Sequence, residues 1–455
     1  MYNALPTSSN SPQKAVYNPH MPTRRRFLLA ATVTAAAPSL SLKAQRPTEA
    51  PPSDIKLPPA IAALTNRHSE ATPITLDERE RRIQRARELL VKSKIDALVI
   101  TTGTSLTYFT GLRWGQSERF FAWVLPAKGN PFIVCPVFEE GRVRERMEAK
   151  PATLPQASVT RVYVWNEDDN PYTLLAKALK DSGVSTGKVG IEERTQFVFA
   201  DGIAHASPTL TAVSGTPVTA GCRAVKSPAE LALMRLANDI TLKVYEAAWK
   251  SAQPGMTNRH ISDLISAAYL RTGFPGGASC QVGEYSALPH GSLQPQVIRE
   301  SEIILLDDGC TVEGYQSDIS RSFVLGKATD KQKQVFDIVH KAQSTALAAG
   351  RAGVPCHTVD DAARKVITDA GYGPDYKHFT HRLGHGIGMD GHEWPYLVRG
   401  NNTLLEADMT FSDEPGIYIP GEFGIRLEDD WVVTPNGGEM FTPQSPSLEE
   451  PFAKA

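Results

Sequence analysis

The sequence lacks most of the features that mark a binding module. Its five cysteines, Cys135, Cys222, Cys280, Cys310 and Cys356, are scattered over 455 residues with no CxxC spacing. That pattern excludes a zinc-thiolate finger and a dense disulfide framework, and reads as buried thiols. The body of the chain also has no surplus of positive charge. The formal net charge of −2 includes residues 1–44, which hold Lys14, Arg24, Arg25, Arg26 and Lys43 and no acid, so the remainder stands near −7. Nucleic acid and anionic membranes both require clustered positive charge, and neither is an expected partner; small substrates fit better. No GxSxG elbow and no GxxxxGK[ST] loop occurs, so serine-nucleophile and phosphate-loop chemistry have no anchor.

The apolar run Leu29 to Ala37 is too short to span a bilayer and follows Thr23-Arg24-Arg25-Arg26-Phe27-Leu28. The combination resembles a twin-arginine export signal. It implies residues 1–44 as a leader cut after Ala44, export to the periplasm or beyond, and no membrane association after cleavage. Met21 is an alternative start.

With 41% hydrophobic and 22% charged residues, the chain is globular material for two or three domains. Residues 45–75, rich in Pro and Ala, read as a linker, and folding is expected from Leu76. Asp77 to Lys92 carries Ile83, Ala86, Leu89 and Leu90 at helical spacing. Apolar strand candidates at 97–101, 120–125, 132–135, 162–164 and 189–192 alternate with helix candidates at 139–148 and 172–179, so 76–222 reads as an α/β domain. Lys128-Gly129-Asn130 is a hairpin turn. From 223 to 455 the pattern is α+β: Ser227 and Pro228 open a helix to about Ser251, with further helix candidates at 258–272, 330–349 and 358–370 between β hairpins.

Two hairpins carry acids. Asp307 and Asp318 are equidistant from a turn centred between Val312 and Glu313; Glu414 and Glu428 are equidistant from Gly421. Residues so placed sit opposite each other on one face, with Cβ atoms about 5 Å apart. Facing carboxylates raise each other's pKa, which a cation between them relieves. Between the hairpins lies Thr380-His-Arg-Leu-Gly-His-Gly-Ile-Gly-Met-Asp-Gly-His-Glu393, whose glycines at 384, 386 and 388 permit close approach. Asp307, Asp318, His385, Glu414 and Glu428 together form a hard, oxygen-rich set suited to Mn²⁺, Co²⁺ or Zn²⁺, and two ions about 3.5–4 Å apart could share it. Asp307 is preferred to Asp308 because it heads an Asp-x-Gly pattern. Asp413 should point away from the ions by strand alternation.

At these residues the chain resembles the M24 metallopeptidases, whose catalytic domain has the pita-bread fold. The motifs cover roughly 227–443, and 76–215 is similar in layout to the creatinase-type N-terminal domain. The resemblance implies two divalent ions, Mn²⁺ first and Co²⁺, Zn²⁺ or Fe²⁺ as alternatives, on the five residues named. Ala287-Leu-Pro-His290, His381 and Arg426 resemble aminopeptidase P and prolidase. In that subgroup Glu414 would be both ligand and general base, His392 would stabilise the tetrahedral intermediate, and His290 and His381 would line the pocket. The implied reaction is cleavage at an Xaa-Pro bond of a small peptide, aminopeptidase P ahead of prolidase, by a homodimer or higher homo-oligomer. The alternatives are a creatinase-, ectoine-hydrolase- or sulfoniopropionate-lyase-like enzyme on the same fold, and a non-enzymatic pita-bread binding module.

Overall fold

A computed structural model describes residues 57–149 and 154–453. The Arg24-Arg25 motif, Met21 and the Ala44 cleavage point lie outside the described residues. Thr75 accepts from the Glu78 amide and caps the helix Leu76–Ser93, which buries Ile83, Ala86, Leu89 and Leu90 as the spacing predicts. Six strands follow: β1 (Ala97–Ile100), β2 (Ala122–Pro126), β3 (Phe132–Pro136), β4 (Arg161–Trp165), β5 (Gly187–Ile191) and β6 (Leu210–Ser214). They form one mixed sheet in the order β4-β3-β2-β1-β5-β6. β1 is apolar throughout because both of its faces are covered. Leu98 and Ile100 pack with the helix Leu76–Ser93, while Ala97 and Val99 pack with the helix Pro171–Asp181. The β2–β3 hairpin turns through Lys128–Asn130, pairing Val124 with Phe132. Strand β6 and the helices Thr104–Thr110, Phe197–Ala204 and Thr216–Arg223 were not foreseen.

The stretch expected as a linker is structured where it is described. Pro59–Ala62 is a helix turn whose Ile61 is fully buried among residues of the helices Pro228–Ser251 and Asn258–Thr272. Arg67 pairs with Asp239 at 2.5 Å, and Arg271 donates to the Ala62 carbonyl at 3.0 Å. Chain folding thus begins ahead of Leu76, as a strap on the second domain. Its apolar residues are too few and too close to proline for periodicity to reveal them.

In the second domain Ser227 and Glu230 form a reciprocal capping box at the head of Pro228–Ser251. Strands β7 (Ser279–Val282), β8 (Ile304–Asp308), β9 (Thr311–Val312), β10 (Tyr315–Gln316) and β11 (Ile319–Phe323) make a sheet in the order β11-β8-β7 with the small hairpin β9-β10. β12 (Gly384–Gly386), β13 (Glu393–Leu397), β14 (Thr410–Asp413), β17 (Asp429–Thr434) and β18 (Gly437–Met440) form a second sheet in the order β13-β12-β14-β17-β18. β15 (Gly416–Ile419) and β16 (Phe423–Arg426) extend from it as a hairpin. The helices Asp330–Ala349 and Cys356–Ile367 pack with these strands in one apolar cluster.

The first acid hairpin is paired differently from the expectation. Its turn centres on Glu313-Gly314, so Asp307 faces Ser320, not Asp318. Because the slip is two residues, side-chain parity is kept, and Asp318 remains on the same face as the diagonal neighbour of Asp307. The second hairpin keeps the expected centre: Gly416 pairs with Arg426 and Asp413 with Asp429, which brackets Glu414 and Glu428. A single bridge between Ser320 and Glu428 joins the two hairpins back to back.

The two domains meet through buried charge. Arg82 of the first helix donates to Tyr315 Oη at 2.9 Å and lies 3.3 Å from Glu230, which in turn accepts from Tyr315 at 2.7 Å. All five cysteines are free and buried. Among the described residues no helix is long and apolar enough to cross a membrane.

Candidate metal centre

The back-to-back hairpins and β12 bring the predicted ligands together. Donor atoms of Asp307, Asp318 and Glu428 lie within 4.8 Å of one another, as do those of His385, Glu414 and Glu428, and those of Asp318, His385 and His392. All five expected ligands belong to these overlapping groups, with His392 as a sixth member; Asp308 and Asp413 belong to none. β12 reaches the site because its glycines have no side chain. A Cβ on Gly384 would meet the Ser412 carbonyl at 2.1 Å, and one on Gly386 the Glu393 carbonyl at 2.8 Å.

The imidazoles are oriented by backbone. Buried His385 makes its Nδ1 contact to the Gly386 carbonyl at 3.1 Å. A carbonyl only accepts, so Nδ1 carries the proton and Nε2 presents a lone pair. That lone pair faces Glu414 Oε1 at 3.4 Å and Asp318 Oδ2 at 3.8 Å. Burial first, then the neighbouring His392, lowers the His385 pKa to about 3, so the ring is neutral. A lone pair aimed at two carboxyls requires a proton or a cation between them, and imidazole with carboxylate is the donor chemistry divalent transition metals take. His381 is held by the same logic. Its Nδ1 donates to the Arg382 carbonyl at 2.8 Å, and its Nε2 accepts from Tyr418 Oη at 2.7 Å.

Ser320 organises the carboxylates. Its hydroxyl lies 2.7 Å from Asp307 Oδ1 and 2.6 Å from Glu428 Oε2, and accepts from Arg426 Nε at 2.8 Å. A hydroxyl has one proton to give. Arg426 also pairs with Asp307 Oδ2 at 2.6 Å, and although burial pushes the Asp307 carboxyl up, the guanidinium and the hydroxyl outweigh it and hold it below its ordinary value. Glu428 goes the other way, raised well above its ordinary value by burial and by the charges of Asp318, Glu414 and Asp307. The single Ser320 proton can serve only one of the two carboxyls, so the crowded pair needs a further proton or a cation between them. Asp318 is raised well above the usual range by burial and Asp307, and Glu414 to about 8 by burial, against the opposing charge of Arg426. Crowded acids of this kind are a site built for positive charge.

The remaining predicted residues border this centre. Arg426 also donates to Tyr418 Oη at 3.0 Å and to the Pro289 carbonyl at 3.2 Å, which ties the loop bearing exposed His290 to the site. The His392 ring lies tilted by 30° against that of His385 with centroids 3.8 Å apart, and its pKa is lowered by burial, then by Arg382 and His290. Its loop is gripped by the first domain: Asp390 accepts from Thr104 and Arg223, each at 2.6 Å, and Arg194 donates to the His392 carbonyl at 3.1 Å. Ser320, Tyr418 and Arg382 were missed from sequence. Strand alternation from Asp318 and Glu414 was the available signal for the first two.

The family model for metallopeptidase family M24 matches residues 232–435, and that for the creatinase/prolidase N-terminal domain matches residues 82–225. A protein named Xaa-Pro dipeptidase from Lactobacillus delbrueckii subsp. lactis is 31% identical over 370 residues, 79% of this chain and 96% of that one. The chain belongs to metallopeptidase family M24. As an M24 member it is a metal-dependent peptidase with a creatinase-type N-terminal domain and a pita-bread catalytic domain. The crystal structure of dipeptidase PepE from Mycobacterium ulcerans superposes with a TM-score of 0.76 at 32% identity, covering 83% of this chain and 99% of that one. The prolidase from Thermococcus sibiricus gives 0.69 at 29% identity, covering 80% and 96%.

Proposed function

We propose that this M24 peptidase is an Xaa-Pro dipeptidase of the prolidase type, working with two divalent ions, Mn²⁺ first. The observation that carries the metal is the His385 Nε2 lone pair facing Asp318 and Glu414 within a cluster of four acids. The names of the similar proteins, Xaa-Pro dipeptidase and prolidase, support the bond and the peptide length. Asp307, Asp318, His385, Glu414 and Glu428 would hold the ions, which supply Lewis acidity toward the scissile carbonyl and activate water.

The protein's own groups do the rest. Glu414 would take the proton of the attacking water and return it to the departing proline nitrogen. Arg382 Nη2 contacts His392 Nδ1 at 3.1 Å. A guanidinium only donates, so neutral His392 keeps its proton on Nε2, available to the carbonyl oxygen as charge develops there. Arg426 and Ser320 hold Asp307 and Glu428 at fixed angles. An Xaa-Pro bond has no N–H, so a site that acts on the carbonyl alone loses nothing at proline.

The test is hydrolysis by metal-stripped protein resupplied with Mn²⁺, using Xaa-Pro dipeptides, Xaa-Pro-Yaa tripeptides and Ala-for-Pro controls. Cleavage confined to the dipeptides is expected. Cleavage confined to the tripeptides would make it an aminopeptidase P, and cleavage of none would move the substrate to a non-peptide amide. The Arg24-Arg25 motif supports export by the twin-arginine route; a double Lys replacement is expected to leave precursor in the cytoplasm. The family resemblance supports a homodimer, to be checked by light scattering.

A further inference from the structure

A second concave site lies where the strap, the first domain and the catalytic domain meet. Ile74 of the strap, Leu76, Arg79 and Arg113 of the first domain, and Glu313 and Met389 of the catalytic domain line a cavity of about 600 Å³. Arg113, Glu313 and Met389 continue into a neighbouring cavity of about 490 Å³. The guanidinium groups on this wall are not equally served. The charge of Arg82 is met, since it pairs with Glu78 and Glu230 and donates to Tyr315 Oη and the Tyr108 carbonyl, both at 2.9 Å. Arg79 donates to the Ile74 carbonyl at 2.8 Å, but its buried Nε has no partner and no acid pairs with it among the described residues. Burial first, then the like charge of Arg82, lowers its pKa, the mark of a cation short of an anion. Arg113 is exposed and Glu313 half-buried, and neither makes an ion pair among the described residues.

We infer that this junction binds a free amino acid with an apolar side chain, its carboxylate on Arg79 and Arg113, its ammonium on Glu313 and its side chain against Ile74, Leu76 and Met389. The planar fork of a guanidinium matches a carboxylate. A bare inorganic anion fits less well, because Glu313 would repel it, whereas a zwitterion answers both signs of charge. The volume is that of a small-molecule site, and its mixture of apolar wall and few charged groups is what such sites present. A peptidase releases molecules of this class. The site is separate from the metal centre, since none of the five expected metal ligands lines it. Met389 is the nearest link between the two: its carbonyl accepts from Gln316 Nε2 at 2.9 Å, in the loop that carries His385 and His392. Because strap, first domain and catalytic domain each supply part of the wall, an occupant ties the three together and stabilises the folded chain by mass action.

The experiment is calorimetric titration of the full-length, Mn²⁺-loaded protein with leucine, leucinamide, 4-methylpentanoate and inorganic phosphate, in wild type, Arg79→Gln, Arg113→Gln and Glu313→Gln. Wild type is expected to bind leucine at a site that leucinamide, which has no carboxylate, does not fill. Either arginine replacement should weaken leucine by about 10- to 100-fold, the loss of a charge-assisted pair. Glu313→Gln should weaken leucine but not 4-methylpentanoate, which has no ammonium. Leucine should also raise the melting temperature of wild type and leave that of Arg79→Gln unmoved. Arg113 is exposed, so its variant tests the site should Arg79→Gln, which loses its Ile74 contact, fail to fold. Leucine held at the metal centre instead would survive all three replacements, and an unchanged leucine affinity in the arginine variants overturns the inference. Leucinamide binding as tightly as leucine would refute the carboxylate assignment, and phosphate displacing leucine with higher affinity would refute the zwitterion.

Discussion

Replacing Ser320 by Ala removes the hydroxyl that joins two of the candidate metal-binding carboxylates to Arg426. The hydroxyl links Asp307, Glu428 and Arg426, at 2.7, 2.6 and 2.8 Å respectively. Its removal leaves a buried carboxyl and a guanidinium N–H short of a partner, which costs about 1–3 kcal/mol of folding stability. It also frees two metal-binding carboxylates to rotate, and losing such an orienting partner typically lowers metal affinity by about 10- to 100-fold. A matched control lies two residues along the same strand. Ser322 is equally buried, donates to the Arg426 carbonyl at 2.9 Å and accepts from the Arg426 amide at 3.1 Å, but touches no carboxylate. Both Ala variants should unfold at lower denaturant, by comparable amounts. Only Ser320→Ala should weaken Mn²⁺ binding in a calorimetric titration of the stripped protein. Equal metal affinities in the two variants would refute the assignment of Ser320 as the residue that orients Asp307 and Glu428.

Three other outcomes are expected. Asp318→Ala and His385→Ala each abolish metal-dependent hydrolysis, with circular dichroism of the protein retained; full activity in either would remove that residue from the ligand set. With Glu414 held up to about 8 in the folded protein against an ordinary 4.5, the unfolded chain loses that proton first, so folding loses stability as pH rises between those values. The metal-free protein should therefore melt lower at pH 8 than at pH 5. Mn²⁺, which displaces protons, should stabilise most at the higher pH; a melting point that rises with pH would contradict this. Glu393, pulled down to about 2 by Arg223 and Lys226 against the cost of burial, contributes stability present above its ordinary pKa and lost as pH falls through 2. Glu393→Gln should cost about 3 kcal/mol at pH 7 in urea unfolding and far less near pH 2.

What could be read from the sequence was what repeats or pairs. Helical spacing located Leu76–Ser93, and alternating apolar runs located β1 to β5, since burial on one or two faces leaves a period in the chain. Symmetry about Gly421 gave the register of Glu414 and Glu428. The first hairpin was legible in parity but not in register, because Glu313-Gly314 and Val312-Glu313 are both plausible turns until Gly314 adopts its positive φ of 93°. Ser320 and Tyr418 stayed hidden because a serine or tyrosine on a strand is ordinary; only the meeting of three strands gives them carboxylate and guanidinium partners.

The strap ahead of Leu76 sets a limit on maturation. Ile61 sits in the core of the catalytic domain and Arg67 is tied to Asp239, so any protease that trims the N-terminus must stop before these anchors or open an apolar seam in the enzyme. An affinity tag or fusion partner belongs upstream of residue 57, and a chain shortened to start at the first long helix would begin with part of its own core missing.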